Sequence, residues 1–237
     1  MWYLLYQVLG ALLWLVAVNW HLKRNFKSKE VVLGLDLAFL ILVSGLMGGR
    51  LFYVIYENPS LLKDPISIFK IWEGGFVFWG GFILAAGASA GFCVWKKCSF
   101  WSWADIFTPW ISVGYIWGRI GCFLEGCCYG QYCDLPWAWE GRHPTQWYAA
   151  LSELLLLLFI VSEKKRASSF YPTGSLFLIW LIGHSFARFV LVEPFRDDYR
   201  GPEIFNMSIS SFLSLIFLLI GLGIFYYKIH NREPQNP

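Results

Sequence analysis

The chain has 237 residues, 57% of them hydrophobic and 20% aromatic, and only 15% charged. Soluble domains carry about a quarter charged residues, so this composition, with a mean hydropathy of +0.50, excludes an ordinary soluble domain and describes an integral membrane protein. The formal net charge is only +3 and no basic stripe runs along any segment, which excludes a nucleic-acid partner.

Residues 1–18 carry no positive leading region and no small-residue cleavage site, so they read as a retained membrane helix and not a signal peptide. Seven apolar stretches follow one another, at roughly 2–20, 31–56, 74–95, 103–124, 146–161, 172–192 and 208–227. Each is long enough, or nearly so, to cross about 30 Å of hydrocarbon. No internal repeat is visible and nothing marks a second domain. The expected fold is therefore all-α: one polytopic membrane domain over residues 1–237 with seven transmembrane helices.

The connections sort by charge. Lys23, Arg24, Lys27 and Lys29 follow the first span, Lys96 and Lys97 the third, Lys164, Lys165 and Arg166 the fifth, and Lys228 and Arg232 the seventh. Segments 57–73, 125–145 and 193–206 are mixed or acidic. Positive loops stay inside, which puts the N-terminus outside and the C-terminus inside. The outer ends of spans two, four and six then carry the residues with chemistry.

In chain order these are Gly48-Gly49-Arg50 in span two, then Trp72-Glu73-Gly74-Gly75 through Gly80-Gly81 at the entry to span three. The central stretch runs from Trp117 to Gly130 and sets Arg119 inside an apolar segment, among four glycines and with Cys122, Cys127 and Cys128 behind it. Arg142-His143-Pro144-Thr145-Gln146 opens span five, and His184, Arg188, Glu193 and Arg196 close span six. His184 and Arg188 are four apart and share a helix face.

A charge within an apolar helix is costly unless it meets a partner or a wet cavity. Arg50, Arg119, Arg188 and Arg196 all sit in or beside apolar segments. An arginine fork grips phosphate at two points and keeps its charge at any relevant pH, so the four together suit an anionic phospholipid headgroup. Pairing with Glu57, Glu73, Glu125 or Glu193, or snorkelling to the membrane boundary, is the structural alternative, and the pairing and headgroup roles are compatible. His143 and His184 are the candidate general bases, with pKa values near neutral when unperturbed; a capping role for the first and a packed role for the second are the alternatives. Cys122, Cys127, Cys128 and Cys133 lack the paired C-x2-C spacing of a zinc site, so no metal is expected. A disulfide such as Cys128–Cys133 suits an oxidising outer compartment, adjacent Cys127 and Cys128 would pair only under strain, and apolar packing is the plain alternative.

These motifs together resemble the prolipoprotein diacylglyceryl transferase family. The resemblance runs from about Leu35 to the C-terminus, with the first helix more loosely matched through Trp2-Tyr3-Leu4-Leu5-Tyr6. It implies transfer of a diacylglyceryl group from phosphatidylglycerol to the lipobox cysteine thiol of a prolipoprotein signal peptide, at the outer leaflet of the bacterial inner membrane, with no cofactor. It implies that Arg119 and Arg188 hold the headgroup phosphate and stabilise the leaving group. Arg196, Glu193, His143 and Gln146 match other polar positions of the family, Gly130 matches the glycine closing the central motif, and Gly80-Gly81 match its glycine pair. The chain also departs from the pattern: Trp79 stands where a histidine is frequent, Cys122 for asparagine, Cys127 for glutamate, and His184 for tyrosine. The base is thereby left open between His184, His143 and the acceptor's own thiolate fraction. Two other readings use the same residues: transfer to a different thiol or small acceptor, and a non-catalytic lipid-binding or redox protein built on the cysteine cluster.

Overall fold

The computed structural model of the chain describes residues 2–63, 66, 70, 74–197 and 203–231. Trp72, Glu73 and Arg232 of the sequence reading lie outside them. Among the described residues the structure is helical, without strands: α1 Trp2–Asn25, α2 Ser28–Phe52, α3 Phe78–Lys96, α4 Phe100–Leu124, α5 Thr145–Phe170, α6 Ser175–Ala187 and α7 Ile209–His230. Helix α2 runs on into a π turn, Tyr53–Glu57, and α6 into another, Arg188–Val192, which a 3-10 turn, Glu193–Phe195, completes.

Six helical segments are long and apolar enough to cross a membrane: Leu5–Asn25, Ser28–Glu57, Phe78–Lys96, Thr145–Lys164, Ser175–Phe195 and Ile209–His230. The fourth expected span is a helix of 25 residues, α4, yet it falls short in apolarity. It carries Asp105, Thr108, Ser112 and Arg119 among four tryptophans. The polar groups that lower its hydropathy are the ones that build the interior described below.

Helix ends differ from the sequence reading for local reasons. Helix α2 begins at Ser28 and not at 31 because Glu30 Oε2 accepts the Lys27 N–H at 3.1 Å, forming a capped first turn that is polar and so invisible to an apolar-run search. Helix α3 begins at Phe78 and not at 74 because Gly74 and Gly75 hold φ of 78° and 75°, a left-handed pair that a helix cannot include.

The described chain forms two compact units. The first, residues 1–100 with 199–208, is organised by α2 against α3. A Cβ on Gly48 would strike the Gly80 carbonyl and approach Leu84 Cβ to 2.6 Å, one on Gly80 would come within 2.7 Å of the Gly48 oxygen, and one on Gly81 within 2.7 Å of the Gly45 oxygen. Small residues in register let two apolar helices approach to backbone contact. Gly49 O accepts from Val77 N at 3.0 Å, and Trp79 is fully buried beside this seam.

The second unit, residues 101–198 with 209–237, contains α4 to α7. Each of its helices turns a polar stripe inward. On α4 the stripe is Ser112, Tyr115, Arg119 and Cys122; on α5, Gln146 and Glu153; on α6 and the π turn that continues it, Trp180, His184 and Arg188; on α7, Ser210 and Ser214. These spacings of three, four and seven residues put each set on one helix face. Asp105 fixes the start of α6, accepting from Gly174 N at 2.6 Å and Phe177 N at 2.9 Å. A carboxylate at a helix N-terminus satisfies orphan amides and meets the positive end of the helix dipole.

Candidate functional site

Arg188 is the hub of the second unit. It is 5% exposed, and its guanidinium uses three edges: Nε donates to Ser210 Oγ at 2.8 Å, Nη1 to Tyr115 Oη at 3.1 Å, and Nη2 pairs with Glu193 Oε1 at 2.9 Å. Glu193 also receives Arg196 Nη1 at 3.5 Å. The π turn after Ala187 carries Arg188, and the 3-10 turn after it places Glu193 and Arg196 on the same side. Such π turns recur at functional sites because they re-aim side chains within a helix.

Arg119 stands over the Tyr115 ring, its guanidinium carbon 5.0 Å from the centroid. Tyr115 thus joins two arginines, one on its face and one on its hydroxyl. Arg119 is half-buried, and among the described residues it pairs with no carboxylate. Tyr115 and the sulfurs of Cys122 and Cys128 are the groups that meet its charge, and a guanidinium with no carboxylate partner keeps capacity to bind an anion.

Below the arginines lies a second polar set. His184 Nδ1 is 2.7 Å from Glu153 Oε2, both side chains 2% exposed. Glu153 Oε1 accepts from Ser112 Oγ at 2.7 Å and from Trp180 Nε1 at 2.6 Å. Three partners on two helices, Ser112 of α4 and Trp180 and His184 of α6, hold this carboxylate, the arrangement that a buried charge requires. The His184 ring meets Tyr115 edge-on at 4.7 Å and stacks on Trp180 at 5.1 Å. Tyr115, Ala149, Glu153, His184 and Arg188 line one narrow gap, so histidine and arginine face the same space.

The loop before α5 closes over this region. Gly130 N donates to His143 O at 2.8 Å, Gln131 N to Phe195 O at 2.8 Å, and His143 N to Gln131 O at 3.0 Å. A Cβ at Gly130 would strike the Phe195 carbonyl and stand 2.7 Å from His143 Cβ. Gly130 is therefore the point where the central motif touches both the His143 segment and the turn carrying Arg196. The His143 ring itself bonds Tyr148 Oη through Nδ1 at 3.1 Å and packs on Phe195 at 4.8 Å.

The start of α5 holds the cysteine turn. Thr145 Oγ1 donates to Cys128 O, and Gln146 Nε2 to Cys127 O, each at 2.6 Å. Gln146 is 1% exposed, and its Oε1 has no hydrogen-bond partner among the described residues. None of the six cysteines forms a disulfide. Cys128 does not pair with Cys133. Its φ of 66° turns its sulfur to 3.4 Å from that of Cys127, and the sulfurs of Cys122, Cys127 and Cys128 all lie within 4.8 Å of one another. Hydrogen bonds from Cys122 and Cys127 hold the Cys128 thiol far below its usual pKa, and the charges of Arg119 and Arg196 act in the same sense. Hydrogen bonding with Cys122 and Cys128, then burial, pushes the Cys127 thiol up.

In the first unit Arg50 is 4% exposed. It donates through Nη1 to Gly74 O and, at 3.5 Å, to Gly75 O, and lies over Tyr53 at 5.3 Å. Gly80 and Gly81 lie in the α2–α3 seam.

The structure therefore gathers Arg119, Arg188, Arg196, Glu193, His143, His184, Gln146, Gly130 and Cys122 in one unit, and sets Arg50, Gly80 and Gly81 in the other. Tyr115, Ser112, Glu153 and Ser210 were missed by sequence reasoning. Glu153 carried a signal, a lone carboxylate in the run from Leu151 to Phe159. Tyr115 carried a weaker one, lying one turn before Arg119.

An apolar helical protein that encloses linked arginines and a histidine–carboxylate pair is, as a class, a membrane enzyme. The chain belongs to the prolipoprotein diacylglyceryl transferase family, whose description it matches over residues 1–227. It is similar to proteins named phosphatidylglycerol–prolipoprotein diacylglyceryl transferase. The one from Clostridium tetani is 30% identical over 86% of this chain and 82% of its own length. That from Desulfotalea psychrophila is 30% identical over 90% and 80%, and that from Bordetella parapertussis 34% identical over 81% and 76%.

Proposed function

We propose that the chain transfers the diacylglyceryl group of phosphatidylglycerol to the lipobox cysteine thiol of prolipoproteins, the reaction its relatives' names describe. The sulfur forms a bond to the glyceryl carbon as the carbon–oxygen bond to phosphate breaks, and glycerol phosphate leaves with the bonding pair. The observation that carries this reading is the Arg119–Tyr115–Arg188 linkage: one arginine fully tied by side chains, the other with its charge unmatched by any carboxylate among the described residues.

In this reading Arg119 binds the headgroup phosphate and Arg188 shares the charge that develops on the leaving group. Glu193 and Ser210 fix Arg188, Arg196 adds positive field, and Gly130 allows the close approach that seats His143. His184, oriented by Glu153, is the base in place of the family histidine that Trp79 replaces. Orientation by a buried carboxylate sets the tautomer of an imidazole, and His184 has that partner whereas His143 has a phenol. Arg50, Gly80 and Gly81 hold the first unit's own turn and helix seam.

The same reading has the whole chain working as one domain in the bacterial inner membrane, with α4 as a seventh span, the N-terminus outside, the C-terminus inside, and the site at the outer leaflet. Purified protein supplied with phosphatidylglycerol and a lipobox peptide should yield a lipidated peptide and glycerol phosphate by mass spectrometry. Absence of both, where a family member with the histidine succeeds, would overturn the reading.

A further inference from the structure

We propose that Cys122, Cys127 and Cys128 form a three-thiolate site for a soft divalent cation of zinc's class, whose fourth position takes the acceptor thiol. The second clause rests on the transferase reading above; the first does not.

Zinc binds thiolates at about 2.3 Å in tetrahedral array, which puts its sulfurs roughly 3.8 Å apart. The three sulfurs here lie within 4.8 Å of one another, with one pair at 3.4 Å, so closure needs side-chain adjustment only. The backbone already provides the convergence. Cys122 lies in the last turn of α4, Cys127 N donates back to Cys122 O at 3.0 Å, and Gly126 turns the chain with φ of 72°. Neighbouring side chains on an extended chain point opposite ways; the left-handed Cys128 instead brings two adjacent sulfurs together. Hydrogen bonds from Thr145 and Gln146 pin both carbonyls of the turn.

Charge and saturation agree with the assignment. Three thiolates and a divalent ion leave a net charge of about −1, which the nearby positive groups can offset. Arg119 lies within electrostatic reach of Cys122 and Cys128, and Arg196 of Cys128. Three protein ligands leave one position open, the mark of a site that works on a ligand and not only on the fold. The buried Gln146 Oε1, whose amide nitrogen is tied to Cys127 O, is an unused acceptor on a side chain that touches the cysteine turn.

The chemistry follows. An acceptor thiol entering the fourth position would be held as its thiolate, because a coordinated thiol is deprotonated outright, with His184 of the proposed function as the base that takes its proton. Its sulfur pair then attacks the glyceryl carbon, and glycerol phosphate departs with the electrons of the broken carbon–oxygen bond. Cysteine at 122 and 127, where the family pattern has asparagine and glutamate, would thus supply thiol activation in a chain with tryptophan at 79.

The test uses the intact protein in detergent. Dialysis against zinc followed by elemental analysis should give one ion per chain. Cobalt substitution should give intense near-ultraviolet thiolate-to-metal bands and the visible bands of a tetrahedral site. Cys122→Ser, Cys127→Ser and Cys128→Ser should each lose the ion, while Cys133→Ser keeps it. Adding a lipobox peptide should shift the visible cobalt bands, and the same peptide with serine for cysteine should not. Metal content well below one ion in the wild-type protein, with all three thiols alkylated at equal rates or a disulfide found among them, would overturn the site. Full lipidation by metal-free protein would overturn the acceptor role and leave the transferase reading standing. One bound ion, with no peptide response and no lipidation, would keep the site and remove the transferase reading.

Discussion

Arg50 and Arg188 obey one local rule in two units and reach different ends. Each is buried near the end of an apolar helix, and each helix passes from α to π winding there. Arg50 reaches 24 residues along the chain to the carbonyls of the Gly74-Gly75 turn. Arg188 collects side chains from helices 73 and 22 residues away in sequence, with Glu193 beside it. A guanidinium that bonds backbone closes a loop. One that bonds side chains from several helices fixes a geometry, and its own atoms become part of a charged surface. Equal burial and equal sequence context therefore do not imply equal roles; the partners decide.

The largest effect should fall on the second kind of arginine. Arg119→Ala or Arg188→Ala should lower the rate of peptide lipidation by about 10²–10³-fold or more, the loss seen when a donor to developing charge is removed. Arg188→Lys should fare little better, since an ammonium cannot serve Tyr115, Ser210 and Glu193 in one plane. Activity near wild type in these variants would break the phosphate argument. Next comes Glu153→Gln. General-base catalysis contributes about 10²–10⁴-fold, and loss of the carboxylate should lower kcat far more than KM and alter the pH profile. His143→Ala should cost much less. The reverse order would move the base to His143.

How much of this was legible beforehand differs along the chain. The apolar runs announced six helices that are long and apolar enough to span, since length and composition carry that signal directly. Helix α4 was announced too, but its interior polarity, which lowers its hydropathy, was not read as a site. Arg119 and Arg188 stood out because a charge in an apolar run is conspicuous. Tyr115 did not, because a tyrosine in a membrane helix is ordinary until a fold puts an arginine on each side of it. The convergence of the cysteines was not legible from spacing. A C-x2-C rule searches for helical or hairpin geometry, whereas Cys122, Cys127 and Cys128 converge through a glycine turn and one left-handed residue. Likewise Gly80 and Gly81 stood out in sequence only as a glycine pair, and the structure puts them in a helix seam.

The first kind of arginine should show its role in stability. Arg50→Gln removes charge-assisted hydrogen bonds, worth about 1.5–3 kcal/mol each, and should lower the thermal midpoint in detergent more than it lowers kcat of the folded fraction. Gly80→Ala should act in the same direction. Its Cβ would strike Phe52 and approach the Gly48 carbonyl to 2.7 Å, and overpacking of this kind costs about 1–3 kcal/mol. If Arg50→Gln instead matched Arg188→Lys in activity with no change in midpoint, the contrast between the two arginines would fail.

Tyr115→Phe gives the smallest and sharpest reading. It keeps the ring on which Arg119 rests and removes the hydroxyl, which Arg188 meets at 3.1 Å and through which the side chain also bonds Arg119. One such hydrogen bond to a charged group is worth about 1.5–3 kcal/mol when its partner is left buried and unmet. Here Arg188 retains Ser210 and Glu193, so the rate should fall by about tenfold, equivalent to 1.4 kcal/mol. Tyr115→Leu removes the ring as well and should approach the Arg119→Ala level. A Phe variant as weak as the Leu variant would mean that the hydroxyl, and not the ring, couples the two arginines.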